Sequence, residues 1–296
     1  MARVLVIDHP AGAVWLPLIG AALHPLLGAC IQEGTRRGVG LTVVVSTANL
    51  LTCLVFFYFL NPTGGWQISG GDWFALGNGV MFFLGQWFSI QSVKSGDLAV
   101  HSSALGLKVV MVGVLSLMVG LEENSWNLVG GVLLATLAVF LVSGGNFKGW
   151  RKHQDTVWLT LLACLFFGLN DFLTGWLSRD IGADRWLTLM MGTSGVISLG
   201  LLLGRKKQVE AMVRRPDARW FVLGAGILLG VQALVVNLAF SRYGQPTMSN
   251  VLYSSRGLMA VLFLYGVQRK GDPEILKEQS LGAFLMVIAL LVVLGG

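Results

Sequence analysis

Long stretches of this chain carry almost no charge, and they recur at a regular spacing. Apolar runs fall at about 11–32, 40–60, 73–93, 98–120, 127–145, 156–178, 186–203, 220–240, 246–267 and 280–296. Each is close to the ~20 residues that a helix needs to cross the hydrocarbon core of a bilayer. The pattern predicts ten transmembrane helices. Between them lie turn-rich or charged connectors: Asn61-Pro62-Thr63-Gly64-Gly65, the segment 146–156, and the basic stretch 205–219. Only a few residues join the third run to the fourth and the eighth to the ninth, which predicts tight antiparallel hairpins.

The spacing also suggests a duplication. Lys94-Ser95-Gly96 corresponds to Arg242-Tyr243-Gly244, and each glycine is followed twelve residues later by a cation, Lys108 or Arg256. Gly130 aligns with Gly282 in the last helix of each half, and Gly28 with Gly168 near the starts. Two halves of five helices, 1–146 and 147–296, would enter the membrane in opposite directions because five is odd. The expected fold is therefore an all-α integral membrane protein, ten helices in a 5+5 inverted-topology repeat. In such architectures substrate sites form near the midplane between the halves.

Composition agrees with this. Of 296 residues, 54% are hydrophobic and 12% charged, with a mean hydropathy of +0.71; a soluble domain carries about 25% charged residues. Glycine, at 39 residues, suits close helix–helix approach in a membrane. The net charge of +6 sits in short connectors, as topology requires, and does not suggest nucleic-acid binding. Setting Lys108 and Arg256 aside, fifteen cations fall on the side opposite the termini and four on the terminal side. That bias places both termini outside the cytoplasm, with the chain in a bacterial inner membrane. Trp15, Trp66, Trp73, Trp126, Trp150, Trp158, Trp176 and Trp220 lie near helix ends and read as interfacial anchors. The first run is too long for a signal-peptide core and reads as a retained helix. Cys30, Cys53 and Cys164 lie inside apolar runs without paired spacing, as buried thiols do.

The candidate chemistry centres on Lys108 and Arg256, near the middle of the fourth and ninth runs. A cation at that depth costs roughly 2.5–3.5 kcal/mol on insertion scales and normally faces a cavity or a polar partner. Arg offers a planar fork suited to phosphate or carboxylate; Lys is a point charge. His101 and Ser249 lie seven residues before the two cations, on nearly the same helical faces, and Tyr253 lies three before Arg256. Ser89 and Asn237 are equivalent under the spacing that pairs the cations. All seven are candidate substrate-binding residues, although a structural reading remains open for each. Asp171, an acid within the sixth run, is a candidate proton carrier or a counter-ion to one of the cations. No metal-ligand spacing, nucleotide-binding motif or catalytic signature is present, so the sequence predicts no metal, no cofactor and no enzymatic activity.

The segments Ser95-Gly96-Asp97-Leu98-Ala99-Val100-His101-Ser102-Ser103-Ala104 and Tyr243-Gly244-Gln245-Pro246-Thr247-Met248-Ser249-Asn250 follow short hairpins. Together with ten helices in 5+5 order, they resemble the ten-helix, EamA-like members of the drug/metabolite transporter superfamily. Small four-helix multidrug members use an acid within the first helix to bind cations, and no such acid lies at mid-depth here. The plastid phosphate-sugar translocators of the superfamily carry basic residues on their fourth and ninth helices, as Lys108 and Arg256 do here. The resemblance implies a secondary transporter of a small polar, anionic metabolite (an organic phosphate, a carboxylate or an amino acid), working by alternating access. Such a protein would sit in the bilayer as a monomer or homodimer. The competing reading is a non-transporting membrane scaffold or lipid-handling subunit.

Overall fold

A computed structural model describes residues 11–60, 69–95, 98–122, 125–143, 147–259, 262–263 and 273–295. Gly96, the loop 61–65, Trp66, Glu123 and the junction between the two predicted halves at 144–146 lie outside them. Every regular element among the described residues is an α-helix. In chain order these are α1 (Gly12–Arg36), α2 (Leu41–Phe59), α3 (Asp72–Ser95), α4 (Leu98–Leu105) and α5 (Leu107–Met118). There follow α6 (Trp126–Val142), the short α7 (Phe147–Lys152), α8 (Gln154–Ile181) and α9 (Ala183–Leu203). The last are the short α10 (Lys206–Val213), α11 (Pro216–Tyr243), α12 (Pro246–Ser254) and α13 (Pro273–Leu294). Among the described residues six spans are long and apolar enough to cross a membrane: α1, α2, residues 100–118, α8, α9 and α11. The chain is an all-helical multi-pass membrane protein. Each of the ten apolar runs carries helix, but α6 and the apolar part of α13 are shorter than a full span.

Local chemistry sets the ends. Ser125 accepts a hydrogen bond from Leu128 N–H and caps α6. Pro216 and Pro246 open α11 and α12, where their missing N–H is not needed. Gly244 ends α11 in the left-handed region, φ +60°, with its N–H on Phe240 O, and the Arg179 guanidinium packs directly on it. The connection from α11 to α12 is Gly244-Gln245, the tight hairpin expected from the sequence.

The fourth and ninth runs each hold a single turn residue in the helical ladder, Gly106 and Ser255; both keep right-handed helical backbone angles, and residues 100–118 still form one span. Hydropathy does not see such turns, because the residues around them remain apolar or small.

Packing follows a reciprocal scheme. α1 lies on α11 and α8 on α3; α2 lies on α11 and α9 on α3. α2 meets α9, α6 meets α13, and α5 meets α12. One core cluster joins α2, α3, α9 and α11 through Phe56, Phe82, Trp186, Leu187, Met190 and Leu238. A second joins α5, α6, α12 and α13 through Val109, Ala135, Val251, Met286 and Ala289. On α6 the tight contact is made by Gly131, where a Cβ would run into Val293, and not by Gly130, where a Cβ would stand an ordinary 3.8 Å from Val292. Trp15, Trp73, Trp126, Trp158, Trp176 and Trp220 stand exposed. Trp150 is half-buried, and its indole donates to Ser103 Oγ at 3.0 Å.

Two of the acids beyond the apolar runs tie helix ends together. Asp72 is buried and accepts from Arg185 Nε at 2.8 Å and Nη2 at 2.6 Å; these bonds hold its carboxyl well below the usual range. Glu122, after α5, accepts from Thr247 N–H at 2.6 Å and Met248 N–H at 3.3 Å at the start of α12. Burial pushes its carboxyl up, against those hydrogen bonds.

Candidate functional site

The cluster is built where the fourth and ninth runs meet. Lys108 is the second residue of α5, just past the turn at Gly106, and Arg256 directly follows the turn at Ser255. Tyr253, on α12, lies between them: its ring centroid is 5.8 Å from Lys108 Nζ and 4.7 Å from Arg256 Cζ. One aromatic ring therefore takes both cations. Lys108 Nζ also donates to Asp171 Oδ2 on α8 at 2.7 Å, and both residues are buried. The sequence left Asp171 open between proton carrier and counter-ion; the geometry makes it the counter-ion of Lys108. Among the described residues, Arg256 has neither a carboxylate partner nor a hydrogen bond.

Gln232 of α11 extends the cluster. Its amide nitrogen donates to the Tyr253 hydroxyl and, at 3.1 Å, to His24 Nδ1 on α1. Because His24 Nδ1 accepts, its neutral ring carries the proton on Nε2. Tyr253 accepts from Gln232, so its own O–H is left to donate. The ring of His24 meets that of Tyr253 edge-on, 6.4 Å between centroids.

A second network surrounds His101 on α4. Ser92 Oγ and Thr160 Oγ1 both donate to Thr156 O, at 3.0 and 2.7 Å. Ser92 Oγ and Thr160 Oγ1 also lie 2.6 Å apart, a hydrogen bond in which either can donate. His101 Nδ1 is 3.0 Å from Ser92 Oγ and 3.1 Å from Thr160 Oγ1, and its Nε2 is 3.2 Å from Ser89 Oγ. In the tautomer with the proton on Nδ1, Nε2 accepts from Ser89 Oγ, a hydroxyl beside a base as in an activated nucleophile.

Of the residues singled out in the sequence, Lys108, Tyr253, Arg256 and Asp171 come together, and Ser89 pairs with His101. Asn237 and Ser249 do not join them. Asn237 Nδ2 returns to Ala233 O of its own helix, and Ser249 is fully buried with no partner for its hydroxyl among the described residues. His24, Ser92 and Thr160 are additions from the structure. The signal for Gln232 was its position as an uncharged polar residue inside an apolar run. Thr160 gave none, because threonine is common in membrane helices.

No family model matches the sequence. An undecaprenyl-diphosphatase of Alteromonas mediterranea is 26% identical over 274 residues, covering 90% of this chain and 91% of that protein. A solved crystal structure, described only as that of a protein, superposes with a TM-score of 0.74 at 12% identity over 96% of each chain. At that identity the likeness establishes a shared fold and nothing more.

The likeness to a phosphatase along nearly the whole chain overturns two expectations. The secondary-transporter reading, drawn from midplane cations and the superfamily resemblance, gives way to an enzymatic one, and the expectation of no catalytic activity falls with it. Both errors have one physical source. A buried anion site looks the same in sequence whether the anion passes through or is cleaved, and a catalytic group assembled from separate helices leaves no linear motif. Neither comparison bears on the architectural resemblance itself. With transport set aside, Asp171 has no substrate flux to couple to protons.

Proposed function

We propose that the chain is a membrane-embedded phosphatase that removes the terminal phosphate from a lipid diphosphate of the undecaprenyl class. The observation that carries this reading is the guanidinium of Arg256, half-buried over the Tyr253 ring that also faces Lys108, and without a carboxylate partner among the described residues. Arg256 and Lys108 hold the phosphates, and Tyr253 O–H donates to them; charge-assisted bonds of this kind are roughly twice as strong as neutral ones. Ser89 and His101 carry the chemistry. Ser89 Oγ attacks the terminal phosphorus while its proton passes to His101 Nε2. The bond to the bridging oxygen breaks, and the lipid monophosphate leaves with that oxygen. Water then attacks the phosphoserine, one proton returns to Ser89 Oγ, and inorganic phosphate is released. His101 lies two helical turns from Lys108, about 10 Å along the axis, a gap that the lysine stem and a diphosphate together can span.

The ten-helix, 5+5 inverted arrangement supports this placement. It is favoured by the reciprocal pairing of α1 with α11 and α8 with α3, and by single turn residues within one residue of equivalent positions, at Gly106 and Ser255. An inverted pair of helices would bring one cation from each half to a common midplane site. The bias of basic connectors supports termini outside the cytoplasm, in a bacterial inner membrane.

The test is phosphate release from undecaprenyl diphosphate by the purified protein in detergent. Arg256→Gln should lower kcat/KM roughly a hundredfold, the loss of one strong charged contact of about 3 kcal/mol, and Arg256→Lys by less. Ser89→Ala and His101→Gln should each cost roughly 10²–10⁴-fold. Absence of phosphate release from the wild-type protein, or full activity in Arg256→Gln, would sink the reading.

A further inference from the structure

Gln232 is buried in the middle of α11, 3% exposed, and it meets two other helices through a single atom. Its Nε2 carries two protons. One goes to the Tyr253 hydroxyl on α12, the other to His24 Nδ1 on α1 at 3.1 Å. Its Oε1 is equally buried and has no hydrogen-bond partner among the described residues. Burying an amide is costly for each group left unbonded. Turning the amide over would set Oε1 against both rings and leave two N–H groups idle in place of one carbonyl oxygen. The orientation with Nε2 on the rings leaves the least unmade.

Both contacts act in the same sense. A tyrosine hydroxyl that accepts from Nε2 keeps its own proton for another acceptor. A neutral histidine whose Nδ1 accepts carries its proton on Nε2. Among the described residues nothing bonds to His24 Nε2. The His24 ring is half-buried and stands edge-on to Tyr253, 6.4 Å between centroids. The same Tyr253 ring lies 4.7 Å from Arg256 Cζ and 5.8 Å from Lys108 Nζ. One buried amide thus turns two neutral side chains into donors beside two cations. Donors and cations gathered on one ring suit an anion with several oxygens, and a phosphate has them.

We propose that Gln232 is a positioning residue of this site, and that through it His24 becomes a further phosphate-binding donor, supplied by α1. Its part in catalysis rests on the phosphatase reading; the direction of its two hydrogen bonds does not. A glutamine that only joined three helices would serve with its amide either way round. This role needs one orientation.

¹⁵N NMR of histidine-labelled protein in detergent, with His24→Gln to assign the signal, reads the tautomer directly. Wild type should carry the His24 proton on Nε2. Gln232→Glu, whose carboxylate only accepts, should place a proton on Nδ1. A wild-type proton on Nδ1, or a bare Nδ1 in Gln232→Glu, overturns the proposal. Should Gln232→Glu not fold, Gln232→Met, close in volume, tests the same link by kinetics. It should lower kcat/KM for undecaprenyl diphosphate roughly tenfold, but less than about twofold in a Tyr253→Phe/His24→Phe background. A cost that persists in that background is structural and overturns the positioning role. The expected tautomer without phosphate release from wild type would remove the enzymatic reading, and binding of inorganic phosphate then decides. Gln232→Met should weaken that binding roughly tenfold only while both rings are present. No phosphate binding by wild type, or equal weakening in both backgrounds, overturns the proposal.

Discussion

Lys108 and Asp171 form a buried ion pair whose two members have unequal surroundings. Lys108 also faces Tyr253, while Asp171 faces Lys108 alone among the charged groups described. Desolvation of such a pair is costly, so the pair adds little net stability; removing one partner strands the other. Asp171→Asn should therefore lower unfolding stability in detergent by about 3–5 kcal/mol. The double variant Lys108→Met/Asp171→Leu should recover most of that loss while still lacking phosphatase activity. Thermal unfolding and phosphate release on the same preparations separate the two effects. A single Asp171→Asn as stable as wild type would show that the pair is not desolvated.

At the scale of elements, close helix approach is concentrated at a few glycines, and α3 gives a controlled comparison. A Cβ on Gly79 would run into the Met190 carbonyl and stand 2.7 Å from Thr193 Cβ on α9, whereas one on Gly77, two residues earlier, would meet nothing within 4 Å. Backbone cannot yield as a side-chain tip can. Gly79→Ala should destabilise by about 1–3 kcal/mol through overpacking, and Gly77→Ala should stabilise by roughly 0.5–1 kcal/mol through helix propensity. Thermal unfolding of the two variants should thus move in opposite directions, and a shift of the same sign in both would refute the α3–α9 contact. The sequence could not separate these two glycines, because both sit in the same apolar run. The tight contact at Gly131, one residue from the position the repeat suggested, was hidden for the same reason. The run boundaries were legible because bilayer thickness fixes their length. Lys108 and Arg256 were legible because their cost at mid-depth demands a reason. The Gln232–Tyr253–His24 contacts were not, since they join three helices separated by up to 208 residues, and the Ser89–His101–Thr160 network likewise closes only in three dimensions.

For the molecule as a whole, the enzymatic reading ties chemistry to topology, because a lipid phosphate presents its head at one face of the membrane. Arg36, Arg37 and Arg215 lie on the side that carries fifteen of the nineteen connector cations. By that bias this face would be cytoplasmic, where anionic lipid surfaces attract basic segments. Lys207, in α10, belongs to this face, and the exposed Asp180, near the end of α8, to the other. In a cysteine-free background, Asp180→Cys should react with a membrane-impermeant maleimide on intact cells, and Lys207→Cys only after permeabilisation. The reverse pattern would invert the protein. The basic connectors would then face outward, while the cluster of Lys108, Tyr253 and Arg256, central in the proposed inverted repeat, would keep its depth and its chemistry.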